Sequence, residues 1–346
     1  MTILYGDFCG MDKQINQIIF AGAHDAGISA GRHNVKTQHV GIRLQANAGV
    51  RLFDVRVTDT PVGMATYHGN AKLDPTEKHK RGAYGETLEA ILNEARDFVS
   101  NEGASEFLIL KFDKCKNYRA IAVACMYLLG RDHHFRGAGS LNTKTLDDVK
   151  GKVITIFTSD GLTEARGLGS TEGIFGCRSL KPDEKHDADY AGLQYFGKGG
   201  TNVLYVYSQN MKIRENRQKQ KELMRAGMNT TDREVMGMMY WTSTGILESI
   251  KERNDKMWNK AASSSSSLQS TWQKLMLESI EQRTGRINPT EYSAGGMLKV
   301  FMPNIVMIDF ASDSKGQTIR AFNTMASTSL VEAFQQDARR TRLNVI

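Results

Sequence analysis

The sequence has little of what marks several common protein classes. No apolar run approaches the roughly 20 residues that a spanning helix needs, so contact with a membrane is expected to be peripheral at most. The four cysteines, Cys9, Cys115, Cys125 and Cys177, have neither C-x-x-C spacing nor histidine pairing of the zinc type, and are expected to be separate free thiols. No G-x-G-x-x-G or P-loop pattern follows an apolar run, which argues against dinucleotide and nucleoside-triphosphate folds. Dense Arg/Lys tracts and RNA-binding aromatic motifs are missing too, so nucleic acid is not expected as a partner. The first residues, Met1-Thr2-Ile3-Leu4-Tyr5-Gly6-Asp7, lack the basic flank and apolar core of a secretory signal. The expectation is a cytosolic protein, or one that leaves the cell by a route needing no such peptide.

What the chain does have is enough apolar material for a large core. Hydrophobic residues make up 40% of 346, and the formal charge of +7 favours anionic partners or serves solubility alone. Apolar runs with the character of buried strands occur at Ile18–Ala21, Val50–Val57, Met64–Gly69, Glu106–Asp113, Lys152–Thr158, Asn202–Tyr207, Val235–Trp241 and Asn304–Phe310. Helical periodicity lies between them. A helix from Thr37 is expected to bury Val40, Leu44 and Ala48, and Glu86–Val99 carries a stripe of Leu88, Ile91, Leu92, Ala95 and Phe98. Tyr118–Leu129, Ile246–Trp258, Gln269–Ile280 and Gln317–Arg340 also read as helices, and Lys212–Met224 as a basic, solvated one.

Strands alternating with helices, with polar residues at the strand C-termini, predict an α/β protein built as a single distorted (β/α)8 TIM-type barrel over residues 1–346. Glycine-rich and polar segments around 160–200, and the serine-rich stretch within 258–270, are expected as loop insertions. A monomer is expected.

The chemistry collects in the first fifth of the chain. Gly22-Ala23-His24-Asp25-Ala26-Gly27 ends the first run, Asp54 and Arg56 lie in the second, and His68 ends the third. A core would take none of these groups unless they paired, reached solvent or met a ligand. Two histidines, two carboxylates and an arginine suit acid–base chemistry on a phosphate ester.

The ordered set G-A-H-D-A-G, G-V-R-L-F-D-V-R-V and Y-H-G resembles the X-region of the phosphatidylinositol-specific phospholipase C superfamily, in particular its bacterial, metal-independent branch. The resemblance runs from about Ile18 to Phe112. It implies that His24 is the general base and His68 the general acid. It further implies that Arg56 stabilises charge on the phosphoryl oxygens, and that Asp25 and Asp54 orient these groups. Asp309, ending Ile305-Val306-Met307-Ile308, is similar to the aspartate that holds the base histidine. Lys111, Asp113 and Tyr207 are the expected substrate-binding residues. The reaction implied is attack of an inositol hydroxyl on phosphorus, giving a cyclic phosphodiester and diacylglycerol from a phospholipid at a membrane surface.

No metal and no cofactor are expected, because Arg56 stands where the calcium-dependent branch has a carboxylate, and a guanidinium replaces a cation's charge without binding one. Asp113, two residues beyond Lys111, leaves a cation site open as an alternative. Thr158-Ser159 replaces a headgroup-contacting arginine of the bacterial relatives. That keeps two other readings in play: the same chemistry on another phospholipid or a glycerophosphodiester, and a catalytically inactive barrel that binds lipid or a partner. Trp258, Trp272 and the basic 212–225 stretch are the candidates for membrane contact.

Overall fold

The computed structural model describes residues 2–30, 33, 35–61, 63–68, 83–167, 172–181, 184–197, 209–228, 234–243, 249–261, 263–274 and 304–324. In chain order the strands are β1 (Phe20–Ala23), β2 (Val50–Val55), β3 (Val57–Thr60), β4 (Gly63–His68), β5 (Ala83–Thr87), β6 (Phe107–Phe112), β7 (Lys152–Phe157), β8 (Ile174–Leu180), β9 (Gly192–Phe196), β10 (Met236–Tyr240) and β11 (Ile305–Ile308). Strands β1, β2 and β6 to β11 close into an eight-membered barrel in that order, with β11 returning to β1, and β3-β4-β5 form a separate sheet. Every barrel pairing is parallel, and the small sheet is antiparallel.

Side chains alternate across each barrel strand. Phe20, Leu52, Phe107, Ile109, Ile154, Ile156, Phe175, Leu193, Met236, Met238, Ile305 and Met307 pack into one buried cluster that fills the barrel. Residues of the other parity, among them Ala21, Phe53, Leu108, Leu110, Val153, Met239, Val306 and Ile308, pack outward with the helices. Helix Leu88–Ser100 contributes Leu88, Ile91, Leu92, Ala95 and Phe98 to that outer layer, the stripe expected from its periodicity. Continuing the inward parity toward the strand C-termini leads from apolar residues to His24, Asp54, Lys111 and Asp309. The alternation that builds the core therefore delivers the polar groups to the mouth. Gly22 is part of this: a Cβ there would run into Met307 Sδ, which fills the space.

The opposite end is closed by the N-terminal segment. Arg51 and Glu106, both buried, pair at 2.8 Å (Nε to Oε2), and Arg51 Nη2 donates to the Ile3 carbonyl at 2.6 Å. Glu106 Oε1 accepts the amides of Tyr5 and Gly6 at 2.6 and 2.9 Å. One seam is short, since β9 and β10 pair over only two register positions. Helix Gln209–Met228 covers it: Gln220 accepts from the Tyr240 amide at 3.0 Å, and Asn216 donates to the Tyr240 and Thr242 carbonyls at 3.0 and 2.7 Å. These amides replace missing ladder bonds.

Several expectations need correction. Met64–His68 is not a barrel strand but the centre of the antiparallel sheet, because the chain breaks at Arg56 after β2 and doubles back. The 160–200 region is not only loop: it holds helix Ser159–Arg166 and barrel strands β8 and β9. Gly176 and Gly192 face each other there, and a Cβ on Gly192 would strike the Gly176 carbonyl. The close approach requires glycines, and these hid the strands' pattern. The early helix is confined to Ile42–Asn47 and buries Ile42, Gln45 and Ala46, leaving Leu44 exposed. The strand expected at Asn202–Tyr207 lies outside the described residues, as do the ends of the helices expected at 269–280 and 317–340. Residues 268–274 and 313–324 are helical. Among the described residues no helix is long and apolar enough to cross a membrane.

Candidate active site

Chain reversal after β1 places two functional groups side by side. His24 follows the strand, and Asp25 takes a left-handed conformation, φ 44°, that turns the chain sharply. The turn is pinned from several directions. The His24 amide donates to the Ile308 carbonyl at 3.0 Å, and the Ala26 amide to the Asp54 carbonyl at 2.9 Å. The buried Thr37 hydroxyl donates to the Asp25 carbonyl at 2.8 Å. Gln38 donates to the carbonyls of His24 and Ile308 at 3.1 and 3.3 Å and accepts from the Ala311 amide at 3.0 Å. The sequence pattern gave no sign of Thr37 and Gln38, which read as part of a helix.

Asp25 is the centre of the arrangement. Its Oδ2 lies 2.7 Å from His68 Nδ1 and 3.5 Å from His24 Nε2, and its Oδ1 lies 3.0 Å from Arg56 Nε. The Arg56 contact is one of charge, because neither atom completes a directed hydrogen bond. His24 Nδ1 lies 3.0 Å from Asp309 Oδ1, and Asp309 Oδ2 accepts from Asn254 at 3.0 Å. Each histidine thus turns Nδ1 to a carboxylate, which favours the tautomer carrying its proton there and leaves Nε2 for chemistry. The Tyr240 ring stands edge-on to His24 at 5.8 Å.

His68 arrives from the antiparallel sheet, which is fastened to the loop after Asp25. The Glu86 amide and the Thr66 hydroxyl both donate to the Gly27 carbonyl, at 2.9 and 3.0 Å, and Ser29 donates to Glu86 at 2.7 Å. A side chain at Gly85 would collide with that carbonyl. Burial, with Glu94 nearby, pushes Glu86 up to about 7 despite the Ser29 bond.

A second charged pair lies beside the first. Lys111 Nζ is 2.9 Å from Asp54 Oδ1 and 3.1 Å from Asp113 Oδ2. Asp54 and Lys111 are buried, whereas Asp113 is partly open. Asp54 therefore holds a lysine rather than a histidine, and Asp113 shares that lysine.

The charges shift one another's proton affinity. Burial alone would lower His24, but the Asp25 and Asp309 carboxylates outweigh it and push His24 up to about 9. Burial would raise Asp25, yet His24, Arg56 and His68 hold it far below the usual carboxylate range. Asp54 is likewise lowered by Lys111 and Arg56 against its burial, and Lys111 is raised by Asp54 against its own.

Eight of the nine residues singled out in the sequence meet in this network: His24, Asp25, Asp54, Arg56, His68, Lys111, Asp113 and Asp309. Tyr207 lies outside the described residues. Thr158 follows β7, and its hydroxyl lies 3.1 Å from the Tyr118 hydroxyl. The tryptophans are not surface tips: Trp272 is fully buried and stacks on Phe322 at 4.9 Å, and Trp258 packs against the core with Lys315 over its ring.

Donor atoms of His24, Asp25 and Asp54 lie within 4.8 Å of one another, near enough to face one small cation. The charge pattern does not fit one. Arg56 and Lys111 already stand against Asp25 and Asp54, and a divalent ion would meet two fixed positive charges.

No protein-family model matches the sequence, and no curated protein matches it. Among solved structures, the chain is similar to the phosphatidylinositol-specific phospholipase C from Listeria monocytogenes, with TM-score 0.51 and 15% identity, covering 92% of this chain and 97% of that one. It is also similar to the Staphylococcus aureus phosphatidylinositol-specific phospholipase C in a structure concerned with its membrane binding, with TM-score 0.50 and 14% identity, covering 91% and 95%. At such identities the likeness speaks for the fold alone: this chain folds into a closed parallel barrel similar to the one in these two structures.

Proposed function

We propose that the protein is a phosphodiesterase of the phospholipase C type that cleaves a phosphoinositide or a related lipid without a metal. The observation that carries this reading is the Asp25 carboxylate, which contacts both histidines and Arg56 at once. His24 Nε2 takes the proton of a substrate hydroxyl while Nδ1 donates to Asp309. The hydroxyl oxygen bonds to the neighbouring phosphorus and the bond to the lipid oxygen breaks. His68 Nε2 gives its proton to that leaving alkoxide. The products are a cyclic phosphodiester and diacylglycerol. An internal nucleophile is already next to phosphorus, so little entropy is lost in aligning it. Arg56 and Lys111 supply the positive charge that a cation would otherwise bring to the phosphoryl oxygens. The substrate is met at a membrane surface, by peripheral contact.

The test is purified protein with phosphatidylinositol vesicles in chelator. Wild type releases water-soluble inositol phosphate and His24→Ala does not; absence of release from any phosphodiester by wild type would refute catalysis and leave a lipid-binding barrel. Thr158, bonded to Tyr118 where the bacterial relatives are expected to present an arginine, favours a second reading with the same chemistry on another phospholipid or a glycerophosphodiester. A panel of headgroups in the same assay decides between the two.

A further inference from the structure

Asp309 is gripped from behind as well as used from the front. Its Oδ1 faces His24 Nδ1 at 3.0 Å, and its Oδ2 accepts from Asn254 Nδ2 at 3.0 Å. Asn254 is fully buried on helix Ile250–Trp258, and the same amide group donates to the Ile250 carbonyl at 2.9 Å. The amide cannot swing away without giving up that second bond. Immediately after Asp309 the chain turns through Phe310 at φ 50°, a left-handed conformation that a bulky residue disfavours and that surroundings must impose.

Lys315 imposes it. Its ammonium, almost wholly buried, donates to the carbonyls of Asp309 at 2.7 Å and of Phe310 at 2.9 Å, and lies 5.3 Å from the centre of the Trp258 ring. From the other side the Phe310 amide donates to the Thr37 carbonyl at 2.7 Å. A lysine buried this deeply gives up its hydration for two backbone carbonyls flanking one strained residue. Asp309 needs that turn, because it directly follows β11, where a further step of the strand would carry the chain out of the barrel.

We propose that Asn254 and Lys315 are positioning residues that hold the Asp309 carboxylate in the one orientation in which it accepts the His24 Nδ1 proton. They touch no reacting atom. Asn254 fixes the rotation of the carboxylate, and Lys315 fixes the backbone that carries it. The proposal rests on His24 as the base, and its first readout is independent of turnover.

A proton shared between imidazole Nδ1 and a carboxylate gives a far-downfield NMR signal in the resting protein, assigned here by its loss in His24→Gln. Asn254→Ala and Lys315→Met are expected to abolish or broaden that signal, and Lys315→Arg, which keeps charge and donors, to retain it. Where the preferred phosphodiester is known, kcat in the first two variants falls by about tenfold to a hundredfold, with KM within about twofold, as for misplacement of a catalytic group. A purely structural role would lower Tm and leave the signal in place. Retention of the signal in folded Asn254→Ala and in folded Lys315→Met overturns the proposal. Should Lys315→Met not fold, Asn254→Ala decides alone, since alanine suits a helix interior. If no phosphodiester is cleaved at all, the NMR result still stands, so failure of the functional reading and failure of the clamp are separate outcomes.

Discussion

His68 Nδ1 lies 2.7 Å from Asp25 Oδ2, the same oxygen that stands 3.5 Å from His24 Nε2. Two residues that arrive on different sheets are coupled through one atom. The proposed base and acid are therefore tuned together, and Asp25→Asn is predicted to disable both while leaving the barrel folded. The loss expected in kcat is about 10²- to 10³-fold, in the range of acid–base catalysis. Circular dichroism should match wild type. A kcat within threefold of wild type would remove Asp25 from the mechanism.

The pH dependence follows from His24. A base must be neutral to accept a proton, and Asp25 and Asp309 outweigh burial to push this histidine up to about 9. The limb of the kcat/KM profile that reports loss of the His24 proton should therefore have its midpoint near 9, and the need for a proton on His68 adds an opposing limb. Asp309→Asn removes one of the two carboxylates and should move the His24 limb to lower pH while lowering its plateau. A pH–rate profile in chelator measures both. A limb unmoved by Asp309→Asn would show that another group governs it.

The same shift bears on stability. His24 has a folded-state pKa above its unfolded value, so its interactions contribute stability that is fully present below about pH 6.5 and is lost as pH rises through about 9. Urea denaturation of wild type should lose stability from pH 7 to pH 9.5 by more than His24→Gln does. Equal losses in the two proteins would mean that the carboxylates do not stabilise the imidazolium.

How much of this could be read in the sequence depends on which force set each feature. Parity along Ile18–Asp25, Val50–Arg56 and Glu106–Asp113 is imposed by packing the barrel, so the step from apolar to charged residues was legible as a mouth. His68 is legible as a member of the charged cluster but not as part of a separate sheet, because nothing local says that β4 pairs antiparallel with β3. Strands β8 and β9 were invisible because Gly176 and Gly192 are selected by close approach of two backbones, which hydrophobic pattern does not report. Asn254 and Lys315 reach Asp309 from helices that fold back over β11, and such contacts leave no periodic trace.

In the proposed mechanism Lys111 and Arg56 stand in for a cation. Lys111→Met leaves Asp54 buried beside Asp113 with no ammonium between them. Removing one partner of such a pair costs about 3–5 kcal/mol, and activity should fall with it. Arg56→Lys keeps the charge but not the planar fork, so kcat should drop with little change in stability. Titration with calcium in the presence and absence of chelator checks the reading; wild-type turnover abolished by chelator and restored by calcium would refute metal independence.

The floor of the barrel offers a test of whether stability and chemistry are separable. Arg51 is fully buried, paired with Glu106 at 2.8 Å, and sandwiched between the rings of Tyr5 and Phe98 at 5.2 and 5.1 Å. Arg51→Met keeps much of the packing but leaves one Glu106 oxygen charged and unmatched, at a cost of about 3–5 kcal/mol. A domain of this size should then lose about 4–7 °C in Tm. Turnover per folded molecule should match wild type, because the mouth is built from the other strand ends. Adding Glu106→Leu should restore only part of the loss. The carboxylate also accepts the Tyr5 and Gly6 amides, and the double variant would leave both without a partner. Full recovery in the double variant would mean that those amides find water. A loss of turnover in folded Arg51→Met would mean that floor and mouth are coupled through the barrel.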